Sequence, residues 1–297
     1  MKINRPKQGN KTIRTVFTIA LAAAFTLPLQ GCNENVPVAE PFDAAPVIVT
    51  RASVEELDAT TKEAVILGGR LYDDWPTLKG KTFSTNNPMA VYIDGYSASS
   101  PTPPYSDFVA DLPQQYRCAT CHGFGYLGSE FTDVGIMDAA NNKTVEEIQA
   151  IISDGISFTI GTTTTTVHDF GGSLSSAQIK ALATFVKYGV IDIGDYIYAF
   201  GPVGKGHAGN GKTLYLGGAS CVGCHGLDGK KEDFIKDIPD AKQEYVGTIG
   251  VSAPDEMLHK IRFGQPSSVM PSIYEKSGLT TQDAADIMTY TQQLPAQ

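Results

Sequence analysis

The chain is poor in basic side chains once its first residues are set aside. Residues 1–31 hold five bases (Lys2, Arg5, Lys7, Lys11, Arg14) and no acid, so residues 32–297 carry 18 bases against 32 acids, a net charge of −14. A body this acidic is repelled by phosphate backbones, which excludes nucleic acid as a partner. A membrane-spanning run is also missing: the apolar stretch Val16–Leu29 (VFTIALAAAFTLPL) is only 14 residues long, short of the ~20 that a bilayer requires. Cysteine is scarce, at five, and no copy lies outside a motif. What is present is apolar enough to fold: 42% of the residues are aliphatic, aromatic or sulfur-bearing, which excludes global disorder and allows one large domain or two ordinary ones.

A basic stretch (residues 1–15) followed by that short apolar run has the make-up of a signal peptide. It ends in Leu29-Gln30-Gly31-Cys32, which resembles a bacterial lipobox. The resemblance implies a signal peptide over 1–31, acylation at Cys32 and a lipid anchor facing the periplasm or the cell surface. Gln30 departs from the usual pattern, and simple cleavage leaving a free thiol is the alternative. Export is expected either way. Asn33 in place of Asp after the cysteine favours the outer membrane over the inner one. Residues 32–50, rich in Pro and acid, are expected to form a tether.

The other four cysteines form Cys118-Ala-Thr-Cys121-His122 and Cys221-Val-Gly-Cys224-His225. Paired CxxC in an exported chain allows disulfides, zinc or haem attachment. The histidine immediately after each pair favours haem: two thiols bond the vinyl groups, and the adjacent imidazole is the proximal iron ligand. The two motifs stand inside a repeat. Gly68-Gly-Arg-Leu-Tyr72 and Gly211-Lys-Thr-Leu-Tyr215 share GxxLY upstream. Downstream, Thr144–Gly155 parallels Asp255–Gly264, and Leu174–Tyr188 parallels Leu279–Tyr290. Thr144/Glu147 and Ser175/Gln178 have capping-box spacing, and Pro254 suits a first helical turn.

This layout resembles a dihaem cytochrome c made of two class I cytochrome c-like domains. The resemblance implies an all-α fold with two covalently attached haem c groups, over residues 51–200 and 201–297. In each domain the N- and C-terminal helices are expected to cross at Gly68 and Gly211, with Tyr72 and Tyr215 packing on Phe185/Tyr188 and Tyr290. One departure is plain. Cys221 comes six positions after Tyr215, but Cys118 comes 46 after Tyr72, so the first domain carries an insertion within 73–117. It is read either as a docking or haem-shielding surface or as an irregular loop.

The group opposite each proximal histidine decides between electron transfer and small-molecule chemistry. Met270, 45 residues after His225 in a Met-Pro loop, resembles the distal ligand of a class I domain. Met288 is the rival but is expected in the core, Met257 and His259 are expected to be structural with His259 the reserve ligand, and Arg262 is read as a haem-propionate partner or a solvated surface residue. For the first haem, the matching offset of 46 residues after His122 holds His168 in a polar loop, with Met137 as the alternative and Asp169 a candidate orienting acceptor. His207 is read as a linker residue. The expected function is electron transfer between a redox protein donor and acceptor, through a bis-His haem and a His/Met haem. The rival readings are a haem enzyme, such as a peroxidase or a small-molecule dehydrogenase, and a subunit of a respiratory or extracellular electron-transfer complex. No cysteine is spare to supply a thiolate iron ligand.

Overall fold

The computed structural model describes residues 51–78, 117–129, 134–160, 163–199, 203–234, 243–266 and 268–296. Cys32, the signal and tether segments, and most of the 73–117 insertion lie outside the described residues. The first domain runs α1 (Ala59–Leu78), the motif helix α2 (Cys118–His122), α3 (Met137–Asn142), α4 (Val145–Asp154) and α5 (Ser176–Thr184). The second runs α6 (Ala208–Thr213), α7 (Val222–His225), α8 (Val246–Ser252), α9 (Pro254–Phe263) and α10 (Thr281–Thr291). Both domains fall in one compact unit, Ile48–Gln297.

Local chemistry sets the helix ends. Thr144 and Ser175 accept from the backbones of Glu147 and Gln178, whose side chains bond back to the cap residues. Thr280 and Asp283 close a third box at α10, and Pro254 opens α9. Each such cap satisfies otherwise orphaned N–H groups, for about 1 kcal/mol.

The expected crossing of terminal helices occurs in both domains. A Cβ on Gly68 would lie 2.1 Å from the Ala181 carbonyl oxygen of α5, and one on Gly211 would lie 1.9 Å from the Asp286 carbonyl oxygen of α10. Neither helix has room for a methyl group because the opposing atoms are backbone. Gly211→Ala is therefore expected to cost about 3 kcal/mol, seen as a lower denaturation midpoint. Gly217, whose Cβ would meet nothing within 4 Å, should tolerate alanine. Equal midpoints for the two variants would refute the close crossing.

Gly69 serves a different neighbour. Its missing Cβ makes way for the Phe263 ring of α9, 2.4 Å from where that atom would sit. Adjacent helical residues point about 100° apart, so one glycine admits α5 and the next admits the second domain. Arg70 secures the same contact, with its Nε donating to the Phe263 carbonyl at 2.8 Å and its guanidinium paired with Glu275 at 2.9 Å. Beyond Tyr72, α1 kinks at Asp74 (φ −154°, ψ 71°). Pro76 has no N–H with which to bond the Tyr72 carbonyl, which accounts for the break.

The stretch before His168 differs from the polar loop expected of it. Ile156–Ile160 and Thr163–Val167 form an antiparallel ribbon, β1 and β2, in the register Ile156↔Val167 to Ile160↔Thr163. Threonine and isoleucine are β-branched, and this favours extended backbone over helix or irregular loop.

Candidate functional site

Within α2, Cys118, Cys121 and His122 fall at i, i+3 and i+4, so the two sulfurs and the ring share one helical face. The turn is closed by Gly123 at φ 67°, and the corresponding turn in the second domain by Gly226 at φ 79°. Both turns are anchored alike. The Tyr72 hydroxyl donates to the Gly123 carbonyl at 2.6 Å, and the Tyr215 hydroxyl donates to the Gly226 carbonyl at 2.9 Å. Tyr72 packs on Phe185 at 5.1 Å and Tyr215 on Tyr290 at 5.4 Å. The packing is the one expected of the repeated GxxLY; the hydroxyl bonds to the motif turns are a further finding.

The motif cysteines form no disulfide. Burial pushes the Cys118 thiol up to about 12 and the Cys221 thiol to about 11. Thiol–disulfide catalysts need the opposite shift. Among the described residues, no three His, Cys, Asp or Glu side chains gather as a bare metal-ion site requires.

At the first site, the His122 Nδ1 donates to the Val134 carbonyl at 2.7 Å. That carbonyl can only accept, so the ring proton sits on Nδ1 and Nε2 presents a lone pair. Burial lowers the His122 pKa, keeping the ring neutral. Its Nε2 faces His168 Nε2 at 3.4 Å, with ring centroids 5.6 Å apart and planes 19° from parallel. His168 follows β2 directly and sits at φ 65°. A left-handed non-glycine costs about 1–2 kcal/mol, so strain is held at this residue. Burial, with His122 beside it, lowers the His168 pKa to about 4. Phe170 stands 6.4 Å from the His168 ring and meets the fully buried Trp75 edge-on at 5.7 Å.

At the second site, a cavity of about 630 Å³ is lined by Cys221, Cys224, His225, Met270, Ile261 and Ile287, among others. Phe234 meets the His225 ring edge-on at 5.9 Å. Gly264, at φ 84°, lets the Met270 loop close: a Cβ there would lie 2.6 Å from the Met270 carbonyl oxygen.

Other predicted residues sit elsewhere. Met288 and Met257 are buried in core, as expected. His259 spends Nδ1 on the Tyr126 hydroxyl at 2.8 Å and Nε2 on the Gly69 carbonyl at 3.0 Å, which removes it as a reserve ligand. Arg262 is not solvated: it is buried and donates to the Tyr274 hydroxyl and the Gly189 carbonyl, each at 2.7 Å. Asp169 is exposed and does not reach His168 Nδ1, which has no partner. Met137 opens α3, half-buried against the core. His207 is the N-cap of α6, accepting from the Asn210 N–H at 3.1 Å. Three contributors escaped the sequence: the Val134 carbonyl, which has no side-chain signal, and Tyr126 and Trp75, whose partners are distant in the chain.

The cytochrome c family model matches residues 208–295, and the model for subunit III of cbb3-type cytochrome c oxidase matches residues 110–186. Each match spans one CxxCH. The chain is a c-type cytochrome with two cytochrome c-like domains. No curated protein matches it. Among solved structures, a chain of the reducing HAO-like protein complex of Kuenenia stuttgartiensis aligns at 18% identity, over 60% of the cytochrome and 91% of that chain, with a TM-score of 0.21.

Two covalently bound haem c groups follow from the two domains. The cytochrome's own residues fit them: in each domain two free thiols and an imidazole share one helical turn, and His122 Nε2 presents its lone pair towards His168 Nε2. The domains make haem-based electron transfer the cytochrome's chemistry, exchanged with redox partners.

Proposed function

We propose that this cytochrome relays single electrons, with His122 and His168 as the axial pair of the first haem and His225 and Met270 as that of the second. The observation that carries the reading is the opposition of the His122 and His168 Nε2 atoms at 3.4 Å. The bound iron supplies the one-electron couple. With haem bound, His122 and His168 in the first domain and His225 and Met270 in the second would hold the iron and keep small molecules out, so that electron exchange would need little rearrangement of the protein. His122 is oriented by its bond to Val134, and His168 is presented by the end of β2 with Phe170 behind it. At the second site Met270 shares a cavity with His225.

Thioether ligation raises a haem potential relative to two imidazoles. Electrons are then expected to pass from the first domain to the second, from a donor protein to an acceptor protein. The lipobox-like segment supports an exported, lipid-anchored cytochrome facing the periplasm or the cell surface, at the outer membrane before the inner. In that place it serves as a free carrier or as a subunit of a respiratory or extracellular complex.

Absorption and electron paramagnetic resonance spectra of the oxidised holoprotein test the ligand sets together. A thioether–iron charge-transfer band and a separate bis-imidazole signal are expected, and a high-spin first haem would defeat the assignment. Met270→His should remove the thioether band and lower the second potential by on the order of 0.1 V, measured by spectropotentiometry. An unchanged band would place the sixth ligand elsewhere.

A further inference from the structure

The loops that follow the two CxxCH motifs have one backbone geometry. Gly123 and Gly226 take positive φ, and the N–H six residues beyond each histidine (Gly128, Lys231) donates to that histidine's carbonyl at 3.1 Å. Four residues after each histidine the chain is left-handed again, at φ 73° for Gly229 and φ 63° for Tyr126. The second domain fills this position with the residue that accepts the conformation freely. The first fills it with a bulky aromatic, which strains there. A strained residue persists where its surroundings hold it, and those of Tyr126 are specific.

Tyr126 is 1% exposed, and its polar atoms run in two directions. Its hydroxyl lies 2.8 Å from His259 Nδ1 on α9 of the second domain. His259 Nε2 faces the Gly69 carbonyl at 3.0 Å, an atom that only accepts, so Nε2 carries the proton and the tyrosine donates to Nδ1. Arg262 donates to the same hydroxyl oxygen at 3.4 Å. On its other side the Tyr126 carbonyl accepts from the Ile136 N–H at 2.9 Å. Gly135 presses this segment close: a Cβ there would lie 2.8 Å from the Tyr126 oxygen. The same segment carries Val134, whose carbonyl accepts the His122 ring proton at 2.7 Å.

We propose that Tyr126 is a positioning residue through which the second domain sets the donor strength of His122. The path runs from His259 through the tyrosine hydroxyl and backbone to Ile136, then through the Val134 carbonyl to the His122 ring. A strong acceptor on Nδ1 makes an imidazole a better donor to iron and favours the ferric state. Removing the hydroxyl releases Tyr126 from α9 and, through the Tyr126–Ile136 bond, weakens the bond at Val134. The inference rests on His122 holding the first haem's iron, and it holds whichever group stands opposite.

Tyr126→Phe in the full holoprotein, titrated potentiometrically with each haem followed by its own spectrum, is the test. The first haem is expected to shift towards its ferrous form by three- to tenfold at a fixed applied potential, where tenfold is 59 mV for one electron. The second haem should stay where it is. Tyr126→Gly, which copies the second domain's residue and relieves the backbone, should give the same shift and covers the case in which the phenylalanine variant folds poorly. A folded variant whose first haem keeps the wild-type potential overturns the proposal, as does an equal shift of both haems, which would mark a general loosening. A wild-type spectrum without a bis-imidazole signal would instead fault His168, leaving this test standing.

Discussion

His168→Ala is expected to convert the first haem from a closed site into one that binds carbon monoxide. If His168 and Met270 hold the sixth positions as proposed, the gas should find neither haem open in the reduced wild-type protein. In the variant, one haem of the two should bind it within the mixing time of a stopped-flow experiment, and the bis-imidazole resonance should vanish. His168→Met should close the site again while raising the first potential by on the order of 0.1 V. The expectation follows from geometry: the His168 ring lies near-parallel to His122 and is held there at a positive φ. A wild-type protein that takes up carbon monoxide as fast as the alanine variant would remove His168 from the coordination sphere and favour a catalytic first haem.

The second large effect concerns Asp73, whose side chain is fully buried at the neck of the insertion. It pairs with Arg117, the residue before the first haem-binding cysteine, and with Lys260 of α9 at 2.8 Å. One carboxylate thus ties both ends of the insertion to each other and to the second domain. Asp73→Asn removes the one negative charge that Arg117 and Lys260 share, while Lys260 keeps Glu256 and Gln265, and is expected to cost about 3 kcal/mol, read from chemical denaturation followed at both haems. Burial alone would raise the Asp73 pKa, but the Lys260 and Arg117 charges outweigh it and hold the carboxyl below its ordinary value. A depressed folded-state pKa stabilises the protein at all pH values above the unfolded value of about 3.9. That contribution fades as pH falls through the folded value. The wild-type protein should therefore lose stability below about pH 4, and the asparagine variant should lose less over the same range. Parallel acid limbs would show that Asp73 does not govern the acid transition.

Much of the site can be read along the chain because its chemistry is local. Haem attachment needs two thiols and an imidazole within five consecutive residues, and the capping boxes need partners three apart. The glycines under the helix crossings and the tyrosines that anchor the motif turns appear twice, so the repeat exposes them. His168 is legible for the same reason, since its offset from His122 matches that of Met270 from His225. The ribbon that delivers it is less so, because a threonine-rich stretch serves a loop or a strand according to what it packs against.

The tertiary structure alone decided how the domains meet. Gly69 and Phe263 are 194 residues apart, the Asp73–Lys260 pair is separated by 187, and Tyr126–His259 by 133. Nothing in the pattern of either partner announces the other. Residue type leaves His259 either structural or a reserve iron ligand; the packing of α9 against α1 makes it a buried hydrogen-bonding hub. The Val134 carbonyl is an extreme case: every residue has one, and only the folded backbone selects which of them receives the His122 proton. Residues that act through covalent or near-neighbour chemistry were thus determined by the amino-acid order. Residues that act through burial and backbone acceptors were not, because the free energy of those contacts exists only once distant segments exclude water between them.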